Sequence, residues 1–196
     1  MVTLDGLTKR GSEAFYWIAI LIVRAAATNI ADFSIDKQHL GYVPVGIVLA
    51  LILAGLIVFY YRSGRRRVTG DLPPTNGLYW VTMLTAGSLG TIIGDGVGHA
   101  FHSVQVGVPI SAGLSTIALA LILSSRMRMS WRTALTYWVA VVVVRWWGTN
   151  VGDIVAFTAG LLVSLAITGT AMALILFVWR EPATEHDIFA RPEFNA

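Results

Sequence analysis

The chain contains no cysteine and few charged residues. None of its 196 residues is cysteine, which excludes disulfides, iron–sulfur clusters and thiolate metal sites. Only 13% of the residues are charged, whereas 56% are hydrophobic. The mean hydropathy of +0.69 lies outside the range of soluble globular proteins. The sequence therefore predicts an integral membrane protein.

No polar stretch is long enough to form a separate soluble domain. A membrane-spanning helix needs roughly 20 apolar residues, and short polar breaks separate six such segments. The segments cover approximately 14–32, 43–61, 78–98, 108–125, 134–153 and 158–179. We therefore expect an all-α integral membrane protein, a single membrane domain of residues 1–196 with six transmembrane helices. No cleavable signal peptide is expected, because the first residues are polar.

Lysine and arginine are concentrated at one end of the predicted spans. Eleven of the 14 basic residues lie before span one, after span six or in the loops after spans two and four: Lys9, Arg10, Arg62, Arg65, Arg66, Arg67, Arg126, Arg128, Arg132, Arg180 and Arg191. The opposite end has Lys37, and Arg24 and Arg145 lie within spans. The positive-inside rule predicts two short cytoplasmic tails, and a five- or seven-span layout would destroy this asymmetry. The basic excess therefore reflects topology, and no nucleic-acid partner is expected.

The same pattern of residues occurs three times: Tyr-Trp, ten residues, Thr, three residues, Asp. The copies begin at Tyr16, Tyr79 and Tyr137. Each opens a pair of predicted helices, at approximately 14–61, 77–125 and 134–179, and the second helix of each pair is more purely aliphatic. We therefore expect three parallel two-helix repeats, arranged around an axis normal to the membrane.

Helical rise gives the repeated residues different depths. Trp17 and Asp32 are fifteen residues apart, which is about 22 Å along a helix. The Tyr-Trp pairs are expected in the aromatic belt at the cytoplasmic interface, with the aspartates near the outer edge of the hydrocarbon core. Thr and Asp four residues apart share one helix face. The candidates for binding an ion or proton are Asp32, Asp95, Asp153, Thr28, Thr91, Thr149, Asn29 and Asn150.

The middle copy differs from the other two. Copies one and three carry an arginine and an asparagine where the middle copy has Gly87 and Ile92. Arg24 and Arg145 fall near the bilayer centre, where each costs roughly 2.5–3.5 kcal/mol unless it is paired or hydrated. Because helical side chains lean toward the N-terminus, both arginines point away from the aspartate of their own helix. Their charge partners are therefore expected on another helix or in a water-filled cavity.

A weaker pattern suggests a metal site. Asp95, His99 and His102 share one face if the helix continues, and with His39 they could form an outward-facing oxygen and nitrogen site. The alternative is that the three glycines between residues 94 and 98 end the helix and leave the histidines in a solvated loop.

No pattern in the chain predicts an enzyme. It has no HExxH motif, no Ser-His pair in register and no phosphate-binding glycine loop. A haem would need facing histidines within spans, and all four histidines lie at span ends, in loops or in the tail. We expect no catalytic residues and no cofactor.

The repeats resemble those of a known family. The segments EAFYWIAILIVRAAATNIAD, LYWVTMLTAGSLGTIIGDGVGHAF and TYWVAVVVVRWWGTNVGD are similar to the tandem "repeat of unknown function" of a bacterial membrane-anchored protein family. The resemblance implies a multi-pass protein of the bacterial inner membrane but no reaction. It also implies four repeats per chain, whereas this sequence shows three. The expected partners are therefore the lipid bilayer and either a second protomer or a different membrane subunit.

Two functions fit these features. The first is a small transporter or channel for a cation or proton, with the repeated Thr/Asp faces as the binding site and the arginines as the barrier. The second is a non-catalytic scaffold or accessory subunit of a larger membrane complex. In that role the polar faces would hold neighbouring helices together.

Overall fold

The computed structural model describes residues 4–62, 76–128 and 134–178, with side chains over slightly narrower ranges. All regular structure in these ranges is helical, which confirms the predicted all-α class there. The helices are α1 (Leu4–Asp32), α2 (Tyr42–Arg62), α3 (Gly77–His99), α4 (Val104–Arg128), α5 (Ala134–Ala159) and α6 (Leu161–Val178). A π-helical turn, Phe33–Lys37, extends α1.

Five of the described helices are long and apolar enough to cross a membrane. Their apolar parts are Phe15–Lys37, Tyr42–Phe59, Gly77–His99, Val104–Ser124 and Leu135–Ala159. The apolar part of α6, Leu161–Leu174, is shorter. The C-terminal tail lies outside the described ranges, and so do several of the basic residues on which the predicted topology rests. These basic residues are Arg65, Arg66, Arg67, Arg132, Arg180 and Arg191.

Helix α3 is the centre of the bundle. It packs against α1, α2, α4 and α5, whereas α6 packs chiefly against α5. The buried face of α3 is rich in small side chains, among them Ala86, Gly87, Ser88, Gly90 and Gly94. Small residues allow helix backbones to approach closely where lipid provides no hydrophobic drive for association.

Local sequence explains how several helices begin and end. The Asn76 side chain caps α3 by accepting a hydrogen bond from the Tyr79 backbone N–H at 3.0 Å. Helix α5 continues past Asp153 to Ala159, so it is longer than predicted. It ends at Gly160, whose φ of +84° favours glycine, and α6 follows at the next residue.

The glycines at the end of α3 serve packing and do not end the helix. α3 continues through all of them to His99, so the expectation of an early end was wrong. A Cβ on Gly96 would lie 3.0 Å from the Tyr42 side chain, and one on Gly98 would lie 3.1 Å from Val108. These positions are glycine because α2 and α4 approach α3 there.

Candidate functional site

The three tyrosines of the repeated pattern meet at one end of the bundle. The Tyr79 hydroxyl lies 3.1 Å from the Tyr16 hydroxyl and 3.0 Å from that of Tyr137, so the three form a hydrogen-bonded chain. Tyr79 and Trp138 are buried, whereas Trp17 is exposed. The sequence predicted an aromatic belt at the membrane interface for the Tyr-Trp pairs, and the bundle adds that the three tyrosines contact one another. Neighbouring residues on a helix point in different directions, and here the tyrosines point inward.

The repeated threonines lie twelve residues after the tyrosines, about 18 Å further along each helix. At this level Arg145 links two of them. Its Nε donates to the Thr91 Oγ1 at 3.0 Å, and its Nη2 donates to the Thr28 Oγ1. Each of these hydroxyls donates in turn to a carbonyl four residues earlier, that of Arg24 or of Gly87. One guanidinium on α5 therefore connects α1 and α3, and we call these three side chains the Arg–Thr layer.

The partners of Arg145 lie on other helices, as the sequence predicted, but they are hydroxyls and not carboxylates. Among the described side chains, neither intramembrane arginine forms a salt bridge. Arg24 is half-buried and lies within electrostatic range of the three tyrosines. Thr149 donates to the Arg145 carbonyl at 3.1 Å and is not part of the Arg–Thr layer.

The three aspartates lie one helical turn beyond the threonines, on the side away from the tyrosines. Asp95 lies within electrostatic range of Asp32 and Asp153, and also of Arg145. Asp95 and Asp153 are half-buried, and Asp32 is exposed where α1 passes into its π-helical turn. We call these three carboxylates the acid cluster; as the described side chains stand, they do not form a group that could hold a metal ion.

The order of these levels is the same on all three helices. Tyrosine comes first, then threonine, then aspartate, so α1, α3 and α5 run in the same direction. The tyrosine chain, the Arg–Thr layer and the acid cluster follow one another along these helices and form one polar axis. Its length from Tyr16 to Asp32 is about 24 Å by helical rise.

The two candidate asparagines lie in different surroundings. Asn150 is 1% exposed, and its Nδ2 donates to the Ser111 Oγ at 2.9 Å and to the Trp146 carbonyl at 3.1 Å. Asn29, at the same position of the pattern on α1, is exposed. Asn150 therefore joins α5 to α4.

Sequence reasoning missed the hydroxyls of α4. The Ser111 Oγ donates to the Gly94 carbonyl at 3.3 Å and accepts from the Trp146 Nε1 at 2.8 Å. Thr116 accepts from the Trp147 Nε1 at 3.0 Å. Serine and threonine spaced along an otherwise aliphatic helix were the available signal, since such side chains form interhelical hydrogen bonds.

The histidines do not converge. The His99 Nδ1 donates to the Asp95 carbonyl at 2.8 Å, and its ring stacks on Tyr42 with centroids 5.6 Å apart. His102 is exposed beyond the end of α3. In the described part of the chain, no group of three potential metal-ligating side chains forms. The geometry thus adds no support to the metal hypothesis.

Comparison with known proteins supports the repeat in the first part of the chain. Residues 15–66 match the family model described as Repeat of Unknown Function (DUF347). They carry this repeat. The match runs from the first Tyr-Trp pair through α2, and it confirms the family resemblance there. No curated protein and no solved structure matches the chain significantly. The match therefore covers one copy of the pattern, and the description of the family names no activity.

Proposed function

We propose that the chain is a multi-pass protein of the bacterial inner membrane that transports or conducts a cation or a proton. In this proposal the six helices form three parallel two-helix repeats, and both termini are cytoplasmic. The role is non-enzymatic. The support comes from the five helices that could cross a membrane and from the polar axis that three of them share.

The observation that carries the proposal is the stacking of the acid cluster on the Arg–Thr layer. Ionisable groups inside a membrane are costly, and they mark ion and proton paths when they face a bundle interior. Here Asp95 lies within electrostatic range of Asp32, of Asp153 and of the Arg145 guanidinium, which is held by Thr28 and Thr91. Like charges repel, so a cation or proton that binds to one of these carboxylates lowers their electrostatic energy.

The two levels have different roles in this mechanism. The acid cluster is the entry site, because its carboxylates attract positive charge at the predicted outer end of the helices. Arg145 is the barrier, because its fixed positive charge repels a cation that moves further inward. The tyrosine chain closes the other end of the axis with three hydrogen-bonded hydroxyls.

Flux through proteoliposomes tests the proposal. Wild-type protein is compared with the triple variant Asp32→Asn, Asp95→Asn, Asp153→Asn for transport of protons, alkali cations and divalent cations. We expect wild-type flux of at least one of these above that of empty liposomes, and its loss in the triple variant. The control is Asp36→Asn, an exposed acid in the π-helical turn that is not part of the repeated pattern. Equal flux in the wild type and the triple variant would contradict the proposal.

A scaffold or accessory-subunit role is the second candidate. It is favoured by the junction at Ser111, whose hydroxyl binds the Gly94 carbonyl, Trp146 and Asn150 and so joins α3, α4 and α5. Purification in mild detergent separates the two candidates. A stable foreign subunit in fixed ratio would favour the scaffold, and its absence would count against it.

A further inference from the structure

The first helices of the three sequence copies contact one another through equivalent residues. Each carries two small residues directly before its Thr and its Asp, which we call its small-residue face: Ala27 and Ala31 on α1, Gly90 and Gly94 on α3, Gly148 and Gly152 on α5. The face on α1 is covered by α3. There a Cβ on Gly87 would lie 3.1 Å from the Ala27 Cβ, and the Ser88 Oγ donates to the Ala27 carbonyl at 3.2 Å.

The small-residue face of α3 is covered by α5 in the same way. A Cβ on Gly90 would lie 2.7 Å from the Arg145 Cβ, and one on Gly94 would lie 3.2 Å from the Trp146 ring. Arg145 and Trp146 occupy the pattern positions that Gly87 and Ser88 occupy on α3. Two successive helix contacts therefore use the same positions of the pattern.

The small-residue face of α5 is uncovered. Among the described residues, a Cβ on Gly148 or on Gly152 would meet nothing within 4 Å outside its own helix turn, although their equivalents on α3 are tightly packed. The matching surface on α1 is open at Ala25 and Leu21, whereas Arg24 is half-buried. Its residues at the covering positions are Arg24 and Ala25, with Leu21 one turn before Ala25. Leu21 is 56% exposed, and Ala25 is also exposed.

The second helices repeat this arrangement. The Ser111 Oγ of α4 joins the Gly94 carbonyl of its own copy to Asn150 of the next copy. On α6 the Ser164 Oγ lies 3.5 Å from the Gly152 carbonyl. This contact is equivalent to the one between Ser111 and the Gly94 carbonyl. The second contact would be to an asparagine of a further copy. Asn29 is the pattern's equivalent of Asn150, and it is exposed on α1.

We propose that a second copy of this chain docks on these two end faces. The α1 helix of one copy packs on α5 and α6 of the other, and Asn29 of one copy binds Ser164 of the other. The chain forms this type of interface twice within itself, between α1 and α3 and between α3 and α5. An occupant of the open face on α5 must therefore carry the covering residues of that interface, and α1 carries them without using them within its own chain. Two copies related by a twofold axis normal to the membrane pair both end faces at once. This assembly is independent of whether the protein transports an ion.

Cross-linking between copies tests the docking. Because the chain contains no cysteine, only the introduced cysteines can react with a thiol reagent. An Asn29→Cys copy and a Ser164→Cys copy with different tags are co-expressed and treated in membranes with a short bifunctional thiol reagent. We expect a two-chain product that contains both tags and is absent when either variant is expressed alone. The matched internal pair is Asn150→Cys with Ser111→Cys in one chain, which should cross-link within that chain.

A pair of cysteines at lipid-facing positions measures the background yield of cross-linking. Val48 and Leu121 are 55% and 65% exposed, so Val48→Cys and Leu121→Cys copies report chance collisions. A yield for Asn29→Cys with Ser164→Cys several-fold above this background supports the docking. A yield at background while the internal pair reacts overturns it, and so does a product that contains a foreign protein.

A bulky substitution on the uncovered face provides the second measurement. Gly152→Leu should remove the two-chain product and leave the purified protein folded, because a Cβ there would meet no neighbouring helix within 4 Å among the described residues. Gly55→Leu, equally open but on α2, should leave the product unchanged. A product that survives Gly152→Leu overturns the proposed interface.

Discussion

Helices α3 and α5 carry the same pattern of residues in different surroundings. α3 is enclosed by four helices, and its pattern positions hold Gly87 and Ile92. α5 has an open side, and the same positions hold Arg145 and Asn150. Ile92 is 2% exposed in an apolar cluster, whereas Asn150 is 1% exposed and bound to Ser111. The pattern fixes the backbone positions, and the neighbouring helix decides whether a small, apolar or polar side chain fits.

The same comparison explains why only one arginine reaches the threonines. A side chain at Gly87 would collide with Ala27, because even a Cβ there would lie only 3.1 Å from the Ala27 Cβ. An arginine there would also add a third positive charge, because Arg24 already lies within electrostatic range of Arg145. α5 leaves room for its arginine to extend over Gly90 to Thr28 and Thr91. The irregular middle copy is therefore a condition for the Arg–Thr layer.

The contact between α3 and α5 is most sensitive at Gly90. In Gly90→Ala the new Cβ would lie 2.6 Å from the Val142 carbonyl oxygen, so the two helices must separate. We expect a loss of stability of about 3 kcal/mol or more, at the upper end for overpacking. Thermal unfolding in detergent measures it. Gly113→Ala, on α4 with no atom within 4 Å, is the control and should unfold like the wild type.

Substitutions at the pattern position shared by Ile92 and Asn150 test the same comparison between α3 and α5. Ile92→Asn places an amide against the side chains of Ala31 and Val45, which offer no hydrogen bond, at an expected cost of about 2–3 kcal/mol. Asn150→Leu should cost about 1 kcal/mol, because Ser111 keeps Trp146 and Gly94 as partners. The unfolding midpoints of both variants are the measurement. A larger loss of stability in Asn150→Leu than in Ile92→Asn would contradict the account.

The Arg–Thr layer requires the forked guanidinium of Arg145. Arg145→Lys keeps the charge, but an ammonium has no fixed fork with which to join Thr28 and Thr91. We expect about 1–2 kcal/mol of destabilisation, equivalent to one or two lost hydrogen bonds. Arg24→Lys is the matched control, since Arg24 does not join the threonines, and its midpoint should change less. Equal shifts for the two lysine variants would show that the fork has no special role.

The tyrosine chain should give the smallest effects. Tyr79→Phe removes both hydrogen bonds of the chain, at about 1 kcal/mol in total, because the ring still fills its buried position. Tyr16→Phe removes one of the two bonds and should cost about half as much. The order of the two unfolding midpoints is the measurement, and a larger effect for Tyr16→Phe would argue against Tyr79 as the central hydroxyl.

The sequence predicted the parts of the fold that depend on periodicity and repetition. Apolar runs gave six helices, and the repeated Tyr, Thr and Asp positions gave residues that lie at common levels of α1, α3 and α5. It also predicted that Arg145 would find partners on another helix. These features follow from helical geometry and from the cost of charge in lipid.

The rest depended on which helices are neighbours. Nothing local to Ser111 shows that it binds Trp146 and Asn150, because those contacts join residues far apart in the chain. The run of glycines before His99 resembled a helix end, and only the approach of Tyr42 and Val108 explains it as packing. The inward direction of the tyrosines likewise follows from tertiary contacts.

The most direct test of the account is a high-resolution density map of the acid cluster in protein held in lipid nanodiscs. If α1, α3 and α5 present their repeated carboxylates to one site, the map will show an ion or ordered water that joins Asp32, Asp95 and Asp153. Carboxylates turned toward separate loops, with no density between them, would contradict the shared site and the transport function proposed from it.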